Sequence, residues 1–247
     1  MDSSSHKVAL VTGAARRIGA AIARRLHADG VDLALHYRSS QAEMDALLAE
    51  LNATRAGSVI ALQADLAAFD RLPELIAQTV GRFGRLDALV NNASAFYPTA
   101  FGSVTPAQWD ELFASNARAP FFLAQAATPH LQAAHGGIVN IADIHGETPL
   151  AGHSVYCMAK AALLMLTKSL AVDLAPTVRI NAIAPGAILW PEHGKDEAAQ
   201  AALLARVPLA RMGTPEDIAA AVAWLLGDAS GYVTGQTLHV DGGRGIG

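Results

Sequence analysis

The sequence is poor in the features that mark several protein classes. Its 247 residues include a single cysteine, Cys157, which excludes an internal disulfide and leaves nothing for a cysteine-rich metal centre. Charged residues make up 16% against 52% hydrophobic, which argues for a buried core and against disorder. The net charge is −4 with a pI near 6.1, and no block of Lys or Arg stands out, so a nucleic-acid surface is not expected as the main partner. None of the 9 histidines stands in an H-x-x-x-H or H-E-x-x-H arrangement. His130, His135 and His153 read as surface or turn residues, and no metal role is expected. No apolar run approaches the roughly 18 residues of a membrane-spanning helix. The polar start "MDSSSHK" passes at once into "VALV", with no secretory h-region. These exclusions leave the expectation of a soluble cytoplasmic protein, its lone cysteine suited to a reducing compartment.

What is present is alternation. "KVALVT" reads as a buried strand and Ile18 to Ala28 as a helix; "VDLALHY" is a second strand and "AEMDALLAELNA" helical. "SVIALQADL" is a third strand, "LPELIAQTVGRFG" a helix broken by glycine, "LDALVNNA" a fourth strand, and Pro106 to about Leu123 helical. "GGIVNIAD", the long helix "SVYCMAKAALLMLTKSLAVDLA" and "VRINAIAP" follow. A helix then starts at Thr214 (N-cap) and Pro215 (N1), and the strand "QTLHVDGG" closes the pattern. The strands are continuously apolar, as expected when helices cover both faces of a parallel sheet. The expected fold is a Rossmann-type, doubly wound parallel sheet of about seven strands with helices on both faces, one domain over residues 1–247.

Ligands in such sheets bind beyond the carboxyl ends of the strands. The first such exit, "TGAARRIG", places Gly13 and Gly19 around a turn into a helix N-terminus, where free N–H groups favour phosphate. Arg17 occupies the middle of that turn. After the second strand come His36, Tyr37, Arg38 and Ser39, donors suited to a ribose 2′-phosphate, whereas Asp32 lies at the wrong end of the strand to hold a 2′-hydroxyl. The expected cofactor is therefore NADPH. Asp65 in "ADL" fits an adenine edge or a helix cap. Asn91 to Ala93 offer small residues and amides beside a ribose.

Tyr156 and Lys160 stand at i and i+4, on one helical face. A phenol with a pKa of about 10 needs a nearby ammonium to work as an acid or base at neutral pH. The same spacing also describes any exposed helical pair. Taken with "TGAARRIG", "NNAS", "SNARAPF", "VRINAIAPG" and the late "DGG", however, the chain resembles the short-chain dehydrogenase/reductase family from about Lys7 to Gly243. That resemblance implies Tyr156 as proton donor, Lys160 as its electrostatic partner and Asn116 as a holder of the proton relay. It also implies cofactor contacts from Arg16, Arg17, Ile18, Leu66, Ala93, Ser94, Tyr156, Lys160, Pro185 and Gly186, and a homotetramer.

Two departures from the family pattern carry further information. Ketone-reducing members usually have Ser after "N-I-x", where this chain has Asp143, and Gly where it has Arg17. A carboxylate repels a developing alkoxide but suits a substrate that presents N–H donors or a nitrogen awaiting a proton. Phe96 is placed to stack on an aromatic ring, or to pack in the core; Asp143 alternatively caps a turn. "TGAARRIG", "HYRSS", "NNASAFYPT" and "NIAD" together resemble the pteridine reductases. This implies a pterin or folate site lined by Arg17, Ser94, Phe96, Asp143 and Tyr156, and a flap over "GAILWPEHG" in which Leu189 and Trp190 shape specificity. The implied reaction is hydride transfer from NADPH to a dihydropterin or dihydrofolate. A ketone reductase, for 3-oxoacyl thioesters or sugars, and a non-catalytic NADPH-binding sensor are the alternatives. Neither nucleic acid nor membrane is an expected partner, and Cys157 is read as packing.

Overall fold

Seven strands, β1 (Val8–Val11), β2 (Asp32–Tyr37), β3 (Val59–Gln63), β4 (Ala88–Asn91), β5 (Gly137–Ile141), β6 (Arg179–Pro185) and β7 (Thr237–Val240), pair into one sheet. The computed structural model describes residues 6–189 and 197–246. The strand order is β3-β2-β1-β4-β5-β6-β7 and every neighbouring pair is parallel, a Rossmann-like sheet. Parallel pairing demands a crossover between successive strands, and helices supply it.

The apolar runs divide between two layers. Ala9 and Val11 face one core with Leu33 and Leu35, covered by α1 (Arg17–Ala28), α2 (Gln41–Thr54) and α8 (Pro215–Leu226). Val8, Leu10 and Ala34 face the other, covered chiefly by α3 (Leu72–Phe83) and α5 (Ala119–Ala134), with Ala171 from α6 (Ser154–Asp173). Burial on both faces is why the strands do not alternate in polarity. The expected N-cap of α8 forms as a capping box: Thr214 accepts the Asp217 N–H at 3.2 Å and Asp217 accepts the Thr214 N–H at 2.9 Å.

Four features differ from the sequence reading. Gly81 lies inside α3, whose end is set instead by Gly84 in the left-handed conformation, φ 79°. The helix expected from Pro106 to about Leu123 is α4 (Pro106–Phe113), then a π-helical turn at Ala114–Arg118, then α5 running on to Ala134. Pro120 has no N–H for the carbonyl four residues back, so the ladder widens there and Ala119 bonds Ala114 instead. A further helix, α7 (Glu197–Leu204), was not anticipated. Finally, α6 is 20 residues long with a mean hydropathy of 1.5, which meets the length and composition of a spanning helix. Its buried face, including Val155, Tyr156, Ala159, Lys160, Leu163 and Leu164, recurs at helical spacing against the sheet and the π turn.

Candidate active site

The strand register brings the exits of β1, β2 and β4 level, since Val11 pairs with both Leu35 and Val90. Two cavities open along this edge and share Arg17 and Ser94.

The first, about 340 Å³, lies beyond β1, β2 and β3. Gly13, Arg16, Arg17, His36, Tyr37, Arg38, Ser39, Asp65, Leu66, Ala93 and Ser94 line it. No side chain caps the start of α1 and its first turn holds no acidic residue, so its N–H groups remain available to an anion. The loop is locked by Thr12, whose hydroxyl accepts the N–H groups of Asn92 and Ala93 at 2.9 and 3.0 Å. The Asn92 amide in turn donates to the carbonyls of Thr12 and Gly13 at 2.8 and 2.9 Å. A Cβ on Gly13 would come within 2.9 Å of Ala93 Cα, and one on Gly19 would overlap the Gly13 carbonyl. Gly19 thus serves close packing and does not line the cavity. Arg17 stands in the left-handed region at φ 52°, which explains why a glycine is the usual residue of this turn. The donors at Arg38, Ser39 and the α1 terminus fit a dinucleotide with an extra phosphate on its adenosine half.

His36 and Asn91 behave differently from expectation. The His36 ring is buried: its Nδ1 accepts the Gly13 N–H at 3.2 Å while Nε2–H donates to the Ala64 carbonyl at 3.1 Å. Burial pulls its pKa below the ordinary value. It lines the cavity as expected, but as a neutral brace between the β1 loop and β3 whose two ring nitrogens are both engaged by backbone. Asn91 donates to Asn140 at 2.8 Å and Asn140 to Thr167 at 2.9 Å, a buried chain under the sheet edge with no atom on either cavity. Asp65 both lines the cavity and caps, accepting the Ala67 N–H at 2.9 Å.

The second cavity, about 350 Å³, lies beyond β4, β5 and β6. It gathers Arg17, Ser94, Phe96, Asp143, Tyr156, Lys160 and Leu189, and Ile18, Pro185 and Gly186 line this cavity and not the first. Trp190 lies outside the described residues. The Tyr156 hydroxyl donates to Asp143 Oδ2 at 2.7 Å, and Asp143 Oδ1 accepts the His145 N–H at 2.8 Å. The aspartate therefore caps the short turn Ile144–Gly146 and engages the tyrosine at once. Phe96 is 56% exposed, packs edge-on to Tyr156 at 4.8 Å and stacks on His153 at 4.9 Å, so it is a wall of the cavity and not a core residue. His153, read as a surface or turn residue, backs that wall.

Electrostatics correct one expectation. Burial first, and then the Asp143 carboxylate, push the Tyr156 phenol far above its ordinary value; Ser94 acts weakly in the opposite sense. Lys160 does not offset this. It is 2% exposed, donates from Nζ to the Ile141 carbonyl at 2.9 Å, and lies 5.7 Å from the centre of the Tyr156 ring. Burial lowers it to about 8, against a smaller upward pull from Asp143, so at neutral pH it is still mostly charged. Asn116 sits in the π turn, donating to the carbonyls of Ala95 and Leu112 at 2.9 Å each and accepting the Ser94 hydroxyl at 2.7 Å. It ties the β4 exit to the helix that precedes α5.

The profile of the enoyl-(acyl carrier protein) reductase group matches residues 13–244. A 3-oxoacyl-[acyl-carrier-protein] reductase of Staphylococcus aureus is 38% identical over 241 residues, spanning 96% of this chain and 97% of that protein. Pteridine reductase 1 of Leishmania tarentolae is 37% identical over 284 residues, spanning 99% and 98%. The chain belongs to the short-chain dehydrogenase/reductase family. Reductases of this family use nicotinamide cofactors, and the chain is an oxidoreductase on the same grounds. Several lining residues were not singled out from the sequence: Glu111 and Ser115 at the first cavity, and His145, Leu203, Met212 and Arg244 at the second. Ser115 opens the quoted motif "SNARAPF", His145 stands just after "NIAD" and Arg244 directly after "DGG", but no reading was attached to any of them.

Proposed function

We propose that this chain is an NADPH-dependent pteridine reductase that converts a dihydropterin or dihydrofolate to the tetrahydro form. The observation that carries the reading is the Tyr156–Asp143 hydrogen bond of 2.7 Å. A carboxylate at this place is an acceptor for ring N–H groups, while the phenol beside it donates a proton. The exposed face of Phe96 adds a surface for a flat heterocycle, and Arg17 faces both cavities. NADPH, when bound, supplies the hydride to carbon of the substrate C=N bond.

The chain's own residues manage the proton. Burial and Asp143 keep Tyr156 protonated in the resting site, so the donor is loaded. Its proton passes to the ring nitrogen as that atom gains electron density, leaving a phenolate that solvent reprotonates. Lys160, 5.7 Å from the centre of the phenol ring, directs its ammonium to the Ile141 carbonyl and so holds the β5 exit beside the donor. Ser94 and Asn116 hold the wall opposite. Arg38 and Ser39 support NADPH over NADH, because no carboxylate follows β2 to bind a free 2′-hydroxyl.

A second reading is favoured by one observation: the 38% identity to a 3-oxoacyl-[acyl-carrier-protein] reductase, as high as that to the pteridine reductase. NADPH oxidation across dihydrobiopterin, dihydrofolate and an acetoacetyl thioester, with NADH as control, separates the two. Pterin turnover is expected, with Asp143→Ser lowering pterin kcat/KM by about 100-fold. Thioester turnover without pterin turnover would select the second reading. Binding of NADPH with no oxidation on any substrate would mark a non-catalytic binder.

A further inference from the structure

The segment after β7, "DGGRGI", is built and not loose. Asp241 accepts the N–H groups of Gly243 and Gly245 at 2.9 and 2.7 Å, and the Arg244 N–H donates to the Asp241 carbonyl at 3.2 Å. Gly186 packs so closely that a Cβ there would lie 2.7 Å from Asp241 Cα. This scaffold holds the half-buried Arg244 on the wall of the second cavity, the one that contains Phe96, Asp143 and Tyr156.

Arg244 forms no ion pair among the described residues. The carboxylate in the same cavity, Asp143, is already engaged by Tyr156 and His145. The cavity therefore has on its β7 side a guanidinium that forms no ion pair among the described residues. Phe96 follows β4, and three strand spacings separate β4 from β7, about 14 Å at the sheet edge. That separation at the strand ends exceeds the width of a fused pterin ring, so a substrate that touches both ends carries a tail. Leu189, Leu203 and Met212 line the same cavity and offer apolar contact to a group between the two ends.

We propose that Arg244 is a specificity-determining residue that binds the carboxylate of an acidic substrate tail. Dihydropterins with an aryl-carboxylate tail, of the dihydrofolate kind, are then preferred over those with short neutral side chains. The inference rests on the pteridine reading and narrows it. Arginine suits the task because its rigid fork pairs two donors with one carboxylate.

The test compares dihydrofolate and dihydrobiopterin as substrates of the wild type, Arg244→Gln and Arg244→Lys. The wild type should favour dihydrofolate. Arg244→Gln should raise its KM by about tenfold, the loss of a charge-assisted bond, with kcat held. Dihydrobiopterin constants should stay within about twofold, and Arg244→Lys should recover part of the loss. Stabilisation against heat by folate, measured with NADP+ present, should fall in Arg244→Gln while that by biopterin does not. Equal losses on both substrates, no loss on either, or a wild-type preference for dihydrobiopterin would overturn the assignment while leaving the pteridine reading intact. Reduction of neither pterin by the wild type would sink both together.

Discussion

Lys160 is a full-length lysine with 2% exposure, and its environment makes a measurable demand on stability. Burial lowers it from 10.5 to about 8. Between those values the unfolded chain holds a proton that the folded chain has lost, so stability rises with pH across the window. The gain disappears as pH falls through 8, with a slope of at most about 1.4 kcal/mol per pH unit. Tyr156 works the other way, but only above 10.0, where the unfolded phenol ionises while the buried one does not. Denaturation midpoints between pH 8 and 10 should therefore climb more steeply in the wild type than in Lys160→Met; parallel curves would mean that the lysine is not desolvated. Arg17 makes a different demand. Its left-handed backbone costs roughly 1–2 kcal/mol relative to an ordinary φ. Glycine relieves that strain but brings about 0.5–1 kcal/mol of its own chain entropy. Arg17→Gly should therefore weaken pterin binding out of proportion to its change in Tm, a separation that a purely structural arginine would not show.

At the scale of elements, the start of α1 and the widened turn before α5 do most to shape the site. The glycine loop enters α1 with Gly19 pressed on Gly13 and Asn92, where an added Cβ would lie 2.7 Å from the Asn92 amide nitrogen. Backbone and a doubly bonded amide cannot both give way. Gly19→Ala should displace the loop, and NADPH affinity by fluorescence titration should fall at least about tenfold, the cost of losing one charged hydrogen bond. Unchanged affinity would show that the loop tolerates the shift. The π turn at Ala114–Arg118 has a comparable role for Asn116. With Pro120 unable to donate, the helix opens by one residue, and the Asn116 amide spans from α4 to the β4 exit.

For the whole molecule, the two cavities are neighbours because the sheet reverses its order between β1 and β4. The first cavity is lined by the exits of β1, β2 and β3 together with residues after β4 such as Ala93 and Ala95, the second chiefly by the exits of β4, β5 and β6, and among the described residues Arg17 and Ser94 line both. Ligand binding to this edge draws on both halves of the sheet and should stabilise the fold as a unit. At 100 times Kd the gain is about 2.7 kcal/mol. Thermal shift should therefore be larger with NADPH than with NADH at equal concentration, and Arg38→Ala should remove most of the difference. An equal shift with both would count against the 2′-phosphate assignment.

The seven strands, the helix over 154–173 and the motifs at "TGAARRIG" and Tyr156/Lys160 were legible because they depend on neighbours within a few residues. Apolar runs, helical spacing and glycine turns are local quantities. Other assignments were not local. The imidazole of His36 faces the Gly13 and Ala64 backbone, so a residue that reads as a phosphate donor is a neutral brace. The Lys160 ammonium turned to the Ile141 carbonyl instead of acidifying Tyr156, and burial with Asp143 reversed the sign of the tyrosine's shift. Arg244 gained a role only because β7 lies beside β6, which brings its turn to a cavity begun some 150 residues earlier. Chain order sets which side chains are available and which segments are helix or strand. Which of them share a dry pocket, and hence what their charges do, follows from packing between segments distant in sequence.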